Sequence, residues 1–64
     1  MRTPVLIYMS PTALEALLRQ YGTEVVPVHD FFVLRGIQVK VHIHLPIRIF
    51  MVTYSDGSME VLEA

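Results

Sequence analysis

Three histidines and the aspartate beside one of them are the side chains of this sequence best suited to chemistry. His42 and His44 lie two positions apart in "VKVHIHLPIRIF", residues 39–50. In an extended strand side chains alternate, so both imidazoles would share one side, roughly 7 Å apart at Cα. A His-x-His pair of this kind can chelate zinc, copper or nickel, although a closed site takes four ligands. His29, followed by Asp30, is the third candidate ligand if its strand folds back alongside. Lys40 opposes this reading, because an ammonium two residues from a bound cation repels it. The preferred reading is a solvated stripe of Gln38, Lys40, His42 and His44, opposite an apolar stripe of Ile37, Val39, Val41, Ile43 and Leu45. No cofactor is called for.

Covalent chemistry has still less to work with. The chain contains no cysteine, which removes disulfides, thiolate zinc sites and thiol nucleophiles together. Ser10, Ser55 and Ser58 are explained as a helix cap and turn flanks, and no Gly-x-Ser-x-Gly elbow occurs. Three glycines are too few for a phosphate-cradling loop. The sequence therefore reads as a non-enzyme.

Nucleic acid is the second possibility. A sheet face carrying Lys40, His42, His44, Arg48 and Tyr54 could stack bases and hold phosphates, as single-strand binders do. Between Phe31 and Ser55 there are three cations and no acid. That charge would give only a shallow salt dependence and little affinity. The whole chain, with six acids against five Lys and Arg, carries a net charge of −1 and has no basic excess.

These side chains are positioned by one small domain, residues 1–64. Chains of this size rarely gain more than about 3–5 kcal/mol from a single core and usually rely on a staple or a partner. Apolar residues make up 53% of the sequence and charged residues 17%. The usual charged share is about 25%, so there is little polar surface to cover the domain. The longest apolar run is far below the ~20 residues of a bilayer-crossing helix. The N-terminus has no signal-peptide core either. A cytoplasmic location is the expectation that follows.

"PVLIYM" (4–9) is continuously apolar and suits a strand with both faces covered. In "SPTALEALLRQYG" (10–22), Ser10 is placed to cap a helix, Pro11 to begin it and Gly22 to end it, with Thr12 and Glu15 as an alternative capping box. Leu14, Leu17, Leu18 and Tyr21 give that helix one apolar stripe. "TEVVPVH" (23–29) reads as a short strand whose Pro27 belongs at an edge or a bulge. Arg35-Gly36 marks a bend between two further segments, the second running to Leu45. Asp56-Gly57 predicts a two-residue type I′ hairpin turn. Its register sets Tyr54 opposite Met59, Thr53 opposite Glu60, Val52 opposite Val61 and Met51 opposite Leu62. The hairpin "VTYSDGSMEVLEA" resembles in a general way the closing hairpin of small SH3-like or Tudor-like barrels, a likeness that carries no functional residues with it.

The expected fold is α+β: an N-terminal strand, one amphipathic helix, then an antiparallel meander of three to four strands that could curl into a barrel. One short helix covers one side of such a sheet. The predicted hairpin register gathers Ile49, Met51 and Leu62 on the other side, where they form the expected partner or dimer interface. The function expected from these features is that of a small non-enzymatic interaction protein. It would be a homodimeric regulator or inhibitor occupying a surface of a larger protein, of the size that phages and mobile elements often encode.

Overall fold

A computed structural model describes residues 2–64, and the apolar run at their start organises it. Strand β1 (Pro4–Met9) lies in the middle of a six-stranded sheet, not at its margin. Helix α1 (Pro11–Tyr21) follows it, then a single 3-10 turn (Gly22–Glu24). Five more strands complete the chain: β2 (Val25–Val28), β3 (Phe31–Leu34), β4 (Ile37–Val41), β5 (Ile49–Tyr54) and β6 (Met59–Glu63). The order across the sheet is β2-β3-β4-β1-β5-β6. β1 runs parallel to β4 and antiparallel to β5, and the remaining pairs are antiparallel.

The α+β class therefore holds, but the expected meander of three to four antiparallel strands does not. There are more strands, one pair is parallel, and the sheet is open. A parallel pair needs a crossover, and α1 supplies it by carrying the chain from the centre of the sheet to its far edge. The chain then zigzags back, and β4 docks beside β1 with Ile7 opposite Val39 and Tyr8 opposite Lys40. The continuous apolar run of β1 predicts cover on both faces, whereas α1 covers only the side of Ile7 and Met9 and leaves Leu6 and Tyr8 on the other.

Local chemistry fixes α1 at both ends. The Ser10 hydroxyl accepts the Ala13 amide at 3.1 Å, and Pro11 occupies the first turn, where no amide is needed. Gly22 closes the helix at φ 55°, ψ −124°, its N–H donating to the Leu18 carbonyl. That backbone conformation suits glycine alone. The helix lies on the sheet face defined by Ile7, Met9, Phe32, Val39 and Phe50, with Met9, Leu14 and Val39 buried at the centre. Val39 is 2% exposed, the most deeply buried of the large side chains.

Two-residue turns join β2 to β3 and β3 to β4. Arg35 (φ 51°) and Gly36 (φ 81°) both take positive φ, the type I′ signature, so the expected bend is a tight hairpin. His29 takes positive φ (55°) at the first central position of the other turn, a conformation in which His is enriched among non-glycine residues.

The C-terminal hairpin departs from the expected register. Here Gly57 alone has positive φ, at 87°. Its N–H donates to the Tyr54 carbonyl while the Tyr54 N–H donates to the Ser58 carbonyl. This is a three-residue loop, a type I turn followed by a glycine bulge. Asp56 holds it by accepting from both the amide and the hydroxyl of Ser58, and these hydrogen bonds lower its carboxyl pKa. The extra loop residue slips the ladder by one. Thr53 faces Met59, Val52 faces Glu60, Met51 faces Val61 and Phe50 faces Leu62. A slip of one exchanges the two faces of a strand. Leu62 consequently joins the helix side, while Met59 and Val61 join Ile49 and Met51.

Candidate interaction surface

α1 protects only one face of the sheet. The opposite face is reached by every second residue of each strand: Val26 and Val28 from β2, Phe31 and Val33 from β3, Leu6 and Tyr8 from β1. Ile49 and Met51 from β5 and Met59 and Val61 from β6 complete its apolar part. No described element packs over these side chains. Val26, Val28, Met59 and Val61 are 50, 39, 59 and 65% exposed, values that mark an open surface. The other apolar residues here are half-buried by their neighbours within the sheet.

The face is two apolar wings about a narrower polar centre. Gln38 and Lys40 of β4 stand between the β2–β3 wing and the β5–β6 wing. The Lys40 ammonium lies 5.7 Å from the centre of the Phe31 ring, within reach of a cation–π contact. Tyr8 meets the His42 ring edge-on at 6.3 Å.

The expected interface residues divide between the two sides. Ile49 and Met51 sit on the open face, as the sequence suggests, whereas the slipped register takes Leu62 to the helix side of β6. Val61 and Met59 take the place expected of Leu62. The β2–β3 wing is absent from the expected interface, although its signal is present in the sequence. Val26/Val28 and Phe31/Val33 are paired alternations flanking the two-residue turn His29-Asp30.

The histidines leave the strand that was expected to align them. β4 ends at Val41, not Leu45, because its neighbour β1 ends at Met9. One more amide, His42 N–H, donates to the Met9 carbonyl, and beyond it no strand is left to pair with. The chain then turns, with Leu45 N–H donating to the His42 carbonyl and Ile49 N–H to that of Pro46. His42 Nδ1 accepts the His44 amide at 3.3 Å, and the two exposed rings lie 6.0 Å apart. His29 occupies a different turn. Among the described residues no group of three His, Cys, Asp or Glu side chains could hold a metal ion.

The residues weighed for nucleic acid are likewise dispersed. Lys40 and His42 border the open face, but His44 sits in the turn beyond β4 and Arg48 binds the Ala64 backbone oxygen at 3.0 Å. Tyr54 is near the other end of β5, under the Arg2 guanidinium at 4.1 Å, with its hydroxyl donating to Glu60. That hydrogen bond, ahead of burial, raises the Tyr54 pKa.

The helix side retains an open apolar groove of about 350 Å³ between the α1 flank (Ala13, Ala16, Leu17) and the segment Ile47–Phe50, with Met9 in its wall. Among the described residues no helix is long and apolar enough to cross a membrane. No family model matches the chain, and neither do the curated proteins or the solved structures compared with it.

Proposed function

We propose that this protein is a small non-enzymatic interaction module that occupies an apolar surface of a larger protein with the uncovered face of its sheet. The observation carrying this reading is the pair of exposed apolar wings, Val26/Val28 and Met59/Val61, on one side of a sheet whose other side carries α1 over its centre. Isolated exposed valines are ordinary on protein surfaces. A face that gathers them beside Leu6, Phe31, Val33, Ile49 and Met51 supports reading it as an interaction surface. The wings supply non-directional affinity, while Gln38, Lys40 and Tyr8 between them supply polar groups that fix orientation. A homodimer belongs to the same reading, because a chain this short and apolar gains stability from a second copy.

The test uses the immobilised protein and two variants. Val26→Thr/Val28→Thr alters the open face, and Ala16→Ser alters the helix groove. Capture of one protein from lysate at constant stoichiometry, lost with the first variant and kept with the second, is the expected result. Capture that survives the first variant and fails with the second would move the site to the groove. Retention on single-stranded nucleic acid that disappears with salt and needs Lys40 would replace the protein partner by nucleic acid.

A further inference from the structure

The two edges of the sheet offer different hydrogen-bonding capacity. At the β2 edge, the two-residue turn makes Val28 and Phe31 the closing hydrogen-bonded pair. Alternation then directs the backbone groups of Val26 and Val28 inward and those of Val25 and Pro27 outward. The Val25 N–H already donates to the Gly22 carbonyl, and Pro27 has no N–H. This edge presents no free donor, a device that keeps sheets from extending.

The β6 edge has no such guard. Ala64 N–H donates to the Arg48 carbonyl and Tyr54 N–H to that of Ser58. By alternation Glu60 and Leu62 exchange hydrogen bonds with β5, so Met59, Val61 and Glu63 point their N–H and C=O groups outward. Among the described residues, no turn, loop or cap hydrogen bond reaches those three residues. Val61 and Met59 are also among the most exposed apolar side chains.

We infer that β6 pairs with β6 of a second copy, antiparallel about a twofold axis through Val61, joining two sheets into one. This register sets Val61 against its own copy and Met59 against Glu63. All six outward groups are then hydrogen-bonded. Glu60 falls opposite Leu62, so no two carboxylates oppose each other directly, as sheet pairing requires. Centring the pair on Glu60 would stack two carboxylates, and centring it on Leu62 would leave part of the ladder unused. Both helices fall on one side of the joined sheet and both open faces on the other. The β5–β6 wings thus merge into one apolar platform around the axis. That platform's role in taking a partner rests on the proposed function; the pairing of the edges does not.

Self-association is read without any partner, which separates it from the binding role of the open face. The wild-type chain should sediment with twice the mass of one chain at concentrations on the order of 100 µM, the range suited to a short edge contact. In the proposed register the Val61 Cα atoms form a hydrogen-bonded pair about 5.5 Å apart, which a disulfide can span. Val61→Cys should therefore form a covalent dimer nearly quantitatively on mild oxidation. Met59→Cys should not, because its two copies lie four residues apart along the ladder. Val61→Pro removes an outward N–H and no intramolecular hydrogen bond, so it should sediment as a folded monomer. A wild-type monomer at that concentration would overturn the inference. So would equal crosslinking of the two cysteine variants, or a dimer lost with Met51→Glu and kept with Val61→Pro.

Discussion

The two faces of this sheet are built from nearly the same residue types and meet different fates. On the helix side Met9, Val25, Val39 and Val52 are buried. On the other side Val26, Val28 and Val61 stand in solvent, although Val26 lies next in sequence to the buried Val25. Composition does not separate the faces; the single helix does. α1 is fixed at one end by the Ser10 cap and at the other by Gly22, and it can cover only the side on which the chain leaves β1. Hydrophobicity alone is therefore a poor guide to what holds this domain together. A valine is core beneath the helix and surface elsewhere: Val41 and Leu62, on the helix side but at its margins, are as open as Val28 on the other face.

The largest effect should come from the buried side of that comparison. Leu14 is the α1 residue that reaches deepest into the Met9–Val39 cluster. Leu14→Ala removes buried methyl groups and leaves a cavity, a change that costs about 2–5 kcal/mol in other cores. In a domain whose whole margin is of the order of 3–5 kcal/mol, that is close to complete unfolding. Circular dichroism at 25 °C should show a largely unfolded chain. A cooperative urea transition close to that of the wild type would mean that α1 is not what separates the faces.

A second, smaller effect tests how β6 is assigned to its faces. Gly57 holds φ 87°, and a Cβ added there would meet nothing within 4 Å. The cost of Gly57→Val is therefore conformational rather than steric, about 1–2 kcal/mol for a non-glycine residue in the left-handed region. Urea melts should show that loss. A variant as stable as the wild type would indicate that the loop can reorganise, and with it the register that places Val61 rather than Leu62 on the open face.

What the sequence made legible follows from the range of the interactions. The helix is legible because Ser10, Pro11 and Gly22 act within a turn of themselves, and only the choice between the Ser10 cap and a Thr12–Glu15 box needed the structure. The missing amide of Pro27 restricts the third apolar segment to an edge or a bulge, and the sheet order makes it an edge. The hairpin at Asp56-Gly57 was located but not registered, since an Asp-Gly pair serves both the two-residue turn and the bulged three-residue turn. One loop residue then decided which face receives Leu62. The alternation through His44 continued past the end of β4 because it carries no information about where the neighbouring strand stops. The central place of β1 and its parallel pairing depend on contacts between residues about thirty apart, and nothing local encodes them. For the candidate surface, Ile49 and Met51 were legible and the β2–β3 wing was not. Recognising that wing required knowing that β2 and β3 share the same uncovered side.

The smallest effect on stability is expected at Val26 and Val28, and it bears most directly on the difference between the faces. Both valines keep much of their surface in water, and threonine preserves the β-branch that suits a strand. Exchange of a methyl for a hydroxyl at an exposed position removes little burial and leaves no polar group stranded. Val26→Thr/Val28→Thr should therefore change unfolding free energy by no more than about 0.5 kcal/mol, the usual range for surface positions. The same exchange at Val39 would bury an extra hydroxyl where no partner is waiting, which costs about 1–3 kcal/mol. Measuring both by urea titration, at several protein concentrations, gives the contrast directly. If the open-face pair loses as much as the Val39 variant, and loses more as concentration rises, those valines are buried in solution against a second copy. The open face would then be the dimer contact itself, and the β6 edge would be left for something else.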